Sequence, residues 1–466
     1  MHKPCHHYLL PIGGTATAAL AGLLHEAGDR VSGVDTALYP PTSELLAELG
    51  VPVRLGFDPA GIPADADEVI IGNALPRSNV EVQAVLERGL PYVSQAAAFG
   101  ERFCRPARTV VVAGTHGKTT TTALVAHVLT AGGLDPTVLV GGVPVGGKPW
   151  RLGAGGFTVV EGDEYNTAFF DKGPKFLHYH PWIFVVGNVE FDHGDIYPDL
   201  DAILAAFRAG TALVGASGHV VANAGDGGAR AVASGHPRAV WYGLEPDAAL
   251  SCLRWAHADG RLRATLRWAG EEFEVAVPLV GRHNLDNLMA ATTCALLAGL
   301  RPAAIAAAAA TFPGVRRRLE VVGEAAGVTV VDDFAHHPTA VGLTLEGARA
   351  RFPGRRLVVA FEPRSLTAGR SLFAAAYVEA LAHADVALLA PVFHRVRLGP
   401  ELALDRESVV AGLAARGIEA EALPGASDLA AEVGRHLRAG DVVVCMSSGD
   451  FGGLPRTLVE RLRNRR

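Results

Sequence analysis

A three-domain α/β fold is what this sequence predicts, and three observations carry that prediction. Short apolar runs ending in glycine or an acid alternate with Ala/Leu-rich helical stretches near both ends of the chain, as parallel sheets with crossover helices require. A strand–glycine turn–helix unit with a Gly-Lys-Thr core, VVVAGTHGKTTTTALVAHVL, stands at 110–129. Between that unit and the C-terminal alternation, 250–280 breaks into short alternating runs that read as antiparallel hairpins. At 466 residues the chain exceeds one core and allows two to four domains. The pattern divides it into 1–105, 106–312 and 313–466.

Composition narrows the functional classes. Hydrophobic residues make up 49% and charged residues 19%, as in a soluble α/β protein. A formal charge of −6, with no long basic run except the final RNRR, excludes a nucleic-acid surface. The five cysteines lie far apart without a C-x-x-C pair, which fits reduced, buried thiols rather than a disulfide framework. The N-terminal YLLPIGGTATAALAGLL lacks the basic region of a secretory signal, and Gly13-Gly14 interrupt its apolar run. No segment offers the roughly 20 uninterrupted apolar residues that span a bilayer, so a cytoplasmic protein is expected.

The first domain opens with a strand at Tyr8–Ile12, a Gly-Gly turn, an Ala/Leu helix and a strand from Arg30 ending at Asp35. This is the outline of a Rossmann-like nucleotide-binding unit, with the acid placed to meet a ribose hydroxyl. Pro11 occupies the place of the usual first glycine. Gly14 and Thr15 at the turn, Asp35, and Asn73 after the strand EVII are the candidate substrate contacts here.

The central domain begins with the phosphate loop. A buried strand, the turn Gly114-Thr115-His116-Gly117 and a helix beginning in four threonines present backbone N–H groups to polyphosphate oxygens. Lys118 adds a point charge, and Thr119 or Thr120 supplies a hydroxyl for Mg²⁺. The spacing is two residues short of the G-x-x-x-x-G-K-[ST] loop, because the first glycine is Gly114 and Val112 stands where the pattern wants one. Two more strand ends carry acids. FTVVEGDE delivers Glu161, Asp163 and Glu164, and WIFVVGNVEFDHGD delivers Asn188, Glu190, Asp192, His193 and Asp195. Solvated acids and a structural histidine are the plain alternatives for each alone; three strand-end motifs together point to a metal–nucleotide site. GRHNLDN puts Asn284 and Asn287 on one helical face, where amides can read an adenine edge or simply cap the helix. The segment runs as a helix to Ala298, and the Ala-rich AIAAAAATF is a further helix.

The last domain returns to strands at GVTVVDDF, RRLVVAFEP, DVALLAPVF and DVVVCMSSGD, a second Rossmann-like sheet. GVRRRLE at 314–320 is expected to be a hinge. Arg318 is a candidate for a phosphate, Asp333 for a ribose, and His336-His337 stand near the domain seam.

The ordered series GTHGKTTT, VEGDEY, NVEFDHGD, GRHNLDN, RRRLE and DDFAHHPTA resembles the Mur ligase family over essentially the whole chain. These ATP-dependent amide ligases use the shortened loop. The resemblance implies a uridine-nucleotide domain, a central ATP domain and an amine-substrate domain. It implies that Lys118 contacts ATP phosphates, that Thr119, Glu161 and His193 lie at Mg²⁺ sites, and that Asn284 and Asn287 read the adenine. Arg318 and Asp333 would close over the nucleotide from the last domain, with His337 and Arg364 on the substrate side. FFDK (169–172) and EPRS (362–365) resemble the branch that joins UDP-N-acetylmuramate to the murein tripeptide L-Ala-γ-D-Glu-meso-diaminopimelate. The rivals are the L-alanine-adding branch and a P-loop switch that only hydrolyses ATP. No lysine follows Lys175, so the carbamylated lysine used by several relatives has no counterpart downstream of His193. Arg208 stands near that distance, and Asp450 replaces an expected glycine.

Overall fold

The computed structural model describes residues 4–39, 42–425 and 428–464; Arg465 and Arg466 of the basic tail lie outside them. Three sheets divide the chain. The first holds β1 (His6–Leu10), β2 (Arg30–Asp35), β3 (Val53–Leu55), β4 (Glu68–Ile71) and β5 (Tyr92–Ser94) in the order β3-β2-β1-β4-β5, all parallel. The opening strand stops at Leu10, two residues before the expected end, because Pro11 has no N–H to continue the ladder. Ile12 still ties to the sheet through its N–H to Val34 O at 3.0 Å.

The second sheet has ten strands: β6 (Arg108–Ala113), β7 (Thr137–Leu139), β8 (Trp150–Arg151), β9 (Phe157–Gly162), β12 (Pro181–Val186), β13 (His219–Asn223), β14 (Ala239–Gly243), β15 (Leu250–Ala258), β16 (Arg261–Trp268) and β17 (Glu271–Val277). A separate hairpin, β10 (Asn166–Ala168) and β11 (Asp171–Pro174), leaves its edge after β9. β6, β9 and β12 are buried and mostly apolar, carrying the runs VVVA, VV and IFVV, because helices cover both faces, the signature of buried parallel strands. The hairpins β15–β17 continue this sheet rather than standing alone, since β14 pairs with β15 in parallel at Tyr242–Leu250 and Gly243–Ser251.

The third sheet runs β18-β19-β23-β20-β21-β22, from β18 (Glu320–Ala325), β19 (Val328–Asp333), β20 (Leu357–Phe361), β21 (Val386–Leu389), β22 (Glu419–Ala422) and β23 (Val442–Met446). Only β18 is antiparallel. Alternate residues feed two cores: Val331, Val359 and Val444 point to one face, Val330, Val358 and Val443 to the other.

The first two sheets share one apolar cluster running from Leu9 through Leu20 to Trp150 and Val186. At its seam the Trp150 indole lies where a Cβ on Gly22 of the helix Thr15–Glu26 would sit, 2.2 Å from it, and its N–H donates to Glu26 at 3.0 Å. The third sheet joins differently. Segment 314–316 is clasped to the 143–145 loop by Val145 N–H to Gly314 O (3.1 Å) and Arg316 N–H to Val143 O (2.9 Å). Arg317 and Leu319, at φ 57° and 47°, then turn the chain through the left-handed region. Of the cysteines, Cys104, Cys252, Cys294 and Cys445 are buried.

Candidate active site

β6 delivers Gly114 to the carboxyl edge of the ten-stranded sheet, and the helix Lys118–Ala131 starts directly after Gly117. Gly117 has φ +77° and a Cβ there would stand 2.5 Å from Asn287 Oδ1, so glycine is required on two counts. The Lys118 ammonium folds back on the turn, donating to Gly114 O (2.8 Å), Thr115 O (3.2 Å) and Glu164 Oε1 (2.9 Å). Burial works against its charge, but Glu164 and Asp163 outweigh that and raise its pKa.

The strand-end acids divide their work. Glu161 accepts from the Thr119 hydroxyl at 3.0 Å and from Gly141 N–H at 2.8 Å, and burial raises its pKa. Asp163 pairs with Lys175; burial opposes its charge, yet Lys175 and Lys118 hold it down at about 2. Glu164, only 2% exposed, bridges Lys118 and His193, whose Nε2 lies 2.7 Å from the same oxygen. Burial opposes the His193 imidazolium; Glu164 and Asp192 overcome it and raise the pKa. Its ring also packs on Tyr165, centroids 4.1 Å apart.

The three expected metal ligands therefore fall into two groups. Thr119 and Glu161 touch, whereas His193 is engaged by Glu164. Hard oxygen donors at the phosphate loop suit Mg²⁺, and Glu164 Oε2 is a buried carboxylate oxygen with no protein partner. The donor set fits the ion. Glu164 is the residue that sequence reasoning noticed but did not assign; its place two residues beyond the end of β9 gave no sign that it would turn toward Lys118. Arg208 is elsewhere, donating to Ala231 O at 3.1 Å.

A cavity of about 650 Å³ opens between the second and third sheets. The loop residues His116, Gly117, Lys118 and Thr120 line it, together with Asn284, Asn287, Arg318 and Asp333. Gly114, Thr115 and Thr119 complete the loop around these. Asn287 accepts from the Thr121 hydroxyl (3.0 Å) and donates to Asn284 Oδ1 (2.9 Å), and Asn284 donates to Val280 O (2.7 Å). The two amides thus form one chain of hydrogen bonds along the cavity wall. Arg318 reaches across the seam to the Thr119 hydroxyl at 3.4 Å and stacks on Phe334. Asp333 binds the backbone N–H groups of Leu319 and Ala335, both at 2.7 Å, and so pins the turn that aims Arg318.

The remaining expected residues lie apart from this cavity. Asp35 Oδ2 takes the Gly13 N–H at 2.7 Å and closes the first glycine turn; Gly14 and Asn73 are exposed and Thr15 half-buried beside it. Arg364 follows β20, bonded to Asp450 at 3.0 Å and stacked 4.1 Å over Phe393. Asp450 thus has a partner where a glycine was expected. His337 is 6% exposed and faces His116 across the seam, ring centroids 4.8 Å apart.

Comparison with known proteins agrees with this layout. Residues 6–105 match the Mur ligase family, catalytic domain; 156–295 match the Mur ligase middle domain; 317–449 match the Mur ligase glutamate ligase domain. The UDP-N-acetylmuramate–L-alanyl-γ-D-glutamyl-meso-2,6-diaminoheptandioate ligase of Escherichia coli strain K12 is 35% identical, over 98% of each chain. The UDP-N-acetylmuramate–L-alanine ligase of Roseiflexus sp. strain RS-1 is 36% identical, over 98% of this chain and 99% of its own. A crystal structure of a murein peptide ligase from Psychrobacter arcticus 273-4 superposes with a TM-score of 0.76 at 29% identity, over 99% of both chains.

Proposed function

This chain belongs to the Mur ligase family of ATP-dependent ligases for peptidoglycan precursors, and from that premise we propose that it joins UDP-N-acetylmuramate to the tripeptide L-Ala-γ-D-Glu-meso-diaminopimelate in the cytoplasm. A carboxylate is a poor electrophile, so the γ-phosphoryl group of ATP is transferred to it, giving an acyl phosphate and ADP. The amine of the peptide, neutral when it attacks, adds to the acyl carbon and expels phosphate. Lys118 and Arg318 would hold the negative charge of the phosphates from the two sides of the cavity. Thr119 and Glu161 are the oxygen donors that would hold a magnesium ion, whose charge would offset that of the transferring group. Glu164 keeps Lys118 and His193 charged and oriented. The third sheet, clasped at 314–316, would exclude water from the acyl phosphate.

The observation that carries the longer amine is the surroundings of Arg364. Its guanidinium, at the carboxyl end of β20, is a bidentate donor suited to a peptide carboxylate. Beside it Phe393 is stacked and 52% exposed, so the guanidinium sits against an aromatic face open to solvent. Free L-alanine has only one carboxylate to be held, whereas the tripeptide offers further carboxylates that a second cation such as Arg364 can take. Arg370 Nη1 also lies 3.4 Å from Gly194 O, which sets this wall beside His193.

The decisive experiment is phosphate release from ATP with UDP-N-acetylmuramate and either the tripeptide or L-alanine. Release dependent on the tripeptide, with the UDP-muramoyl-tripeptide seen by mass, is expected. Release with L-alanine alone assigns the protein to the biosynthetic branch. Hydrolysis that needs neither amine nor sugar nucleotide makes it a P-loop switch.

A further inference from the structure

Three side chains to which the proposed reaction assigns no chemical step converge at the seam between the second and third sheets. His116 comes from the phosphate loop, Glu190 from the segment after β12, and His337 from the turn after β19. Their ligand atoms all lie within 4.8 Å of one another. His116 Nε2 is 3.5 Å from Glu190 Oε2, and His337 Nδ1 is 3.8 Å from the same oxygen. These separations are at or beyond the long end of hydrogen bonding. They exceed by a few tenths of an ångström the edge of a tetrahedron around a metal with bonds of about 2.0–2.1 Å, which is about 3.3–3.4 Å, so small side-chain rotations would bring the three groups onto one ion.

The histidines point to a ligand on their own account. His337 is 6% exposed, and among the described residues neither of its ring nitrogens has a hydrogen-bond partner; His116 Nε2 is likewise buried without one. Buried imidazole nitrogens are ordinarily satisfied. Ion pairs with Glu190 would account for one nitrogen of each histidine and leave His337 Nε2 without a partner among the described residues.

The three ligands are also held in place. Thr339 donates to Glu190 Oε2 at 2.7 Å, the His116 backbone N–H donates to Asn188 Oδ1 at 2.7 Å and so fixes that loop, and His337 packs edge-on against Phe373 at 5.1 Å. Such outer contacts orient metal ligands. His116 and Glu190 line the large cavity, so water can supply a fourth ligand from that side.

We propose that His116, Glu190 and His337 form a site for a zinc-class divalent cation that clasps the third sheet to the phosphate loop. Two imidazoles and one carboxylate suit zinc or cobalt, whereas the oxygen donors Thr119 and Glu161 suit magnesium. The two sites share no residue. Because the site exists in the resting protein, it stands or falls independently of which amine the ligase uses.

The test is calorimetric titration of the chelator-treated full-length protein with Zn²⁺, in excess Mg²⁺ and without nucleotide. One Zn²⁺ per chain is expected, and Co²⁺ in its place should give the visible absorption of a tetrahedral ion. Glu190→Gln and His337→Asn should each weaken zinc binding by at least about tenfold, while Glu161→Gln leaves it unchanged. His337→Cys should add a thiolate-to-cobalt charge-transfer band, a gain of signal that a misfolded variant cannot mimic. Absence of stoichiometric zinc, binding that survives both ligand substitutions, binding lost in Glu161→Gln, or a His337→Cys protein without that band would overturn the proposal.

Discussion

Substituting Gly117 by alanine tests the geometry of the nucleotide cavity most directly. The residue sits at φ +77°, and forcing an L side chain into the left-handed region costs about 1–2 kcal/mol. The new methyl would stand 2.5 Å from Asn287 Oδ1, which must retreat by about an ångström and give up its bond from the Thr121 hydroxyl, now 3.0 Å. A lost hydrogen bond adds about 1 kcal/mol. Together the penalty is about 2–3 kcal/mol, or ATP binding weaker by about 30- to 150-fold if it falls on the bound state. Calorimetric titration with ATP reads it. Gly133→Ala is the control, because that residue also has positive φ, at +82°, but nothing lies within 4 Å of its Cβ position. Its effect should appear in melting temperature and leave ATP affinity alone. In an Asn287→Ala background the Gly117→Ala penalty should shrink by about 1 kcal/mol, the steric share. ATP affinity within threefold of the parent, or an undiminished penalty without Asn287, would refute the reasoning.

Other outcomes follow from the same contacts. Glu164→Gln removes the shared acceptor of Lys118 and His193. Since the folded His193 pKa is raised, the stabilisation from its charge is complete below the ordinary histidine pKa near 6.5 and lost as pH rises through the folded value. The gap in melting temperature between parent and variant should therefore narrow as pH rises, with imidazole resonances titrating lower in the variant. Asp163 has a lowered pKa of about 2, so its contribution is complete above about pH 4 and lost as pH falls toward 2. Lys175→Met should move that acid loss upward, read by melting at a series of acidic pH values; an unchanged profile would show that the pair is idle. Arg54→Ala strands the fully buried Glu81 carboxylate, which among the described residues then keeps the Tyr8 hydroxyl and the Asp58 N–H; urea unfolding should show a loss of about 3–5 kcal/mol, and less than about 1 would contradict it. Gly22→Ala should overpack the Trp150 seam and cost about 1–3 kcal/mol, with a shift in tryptophan fluorescence.

Much of this was legible in the sequence because its signals are local. The strand, glycine turn and lysine at 110–118 occupy consecutive residues, and the periodicity of 357–361 or 442–446 is that of a buried strand. What is not local was hidden. Glu161 and Glu164 look equivalent in VEGDEY, and only the path of the chain after β9 gives one to Thr119 and the other to Lys118 and His193. Asn284 and Asn287 share a helical face as expected, but their chain of bonds through Thr121 depends on packing between helices 166 residues apart in sequence. The joining of β15 to β14 was likewise invisible, because a hairpin pattern says nothing about what its outer edge meets. The apolar run predicts a strand from Tyr8 to Ile12, with Pro11 read only as standing in for a glycine, whereas β1 spans His6–Leu10 and stops before it.

The position of β23 in its sheet has a consequence for how the protein is made. β23 is the last strand to leave the ribosome, yet it lies between β19 and β20 and pairs with both. Until residues 442–446 emerge, the two halves of that sheet have no common neighbour and the cavity lacks its far wall. Nascent chains and prematurely terminated products would therefore carry an intact phosphate loop without the part that encloses it.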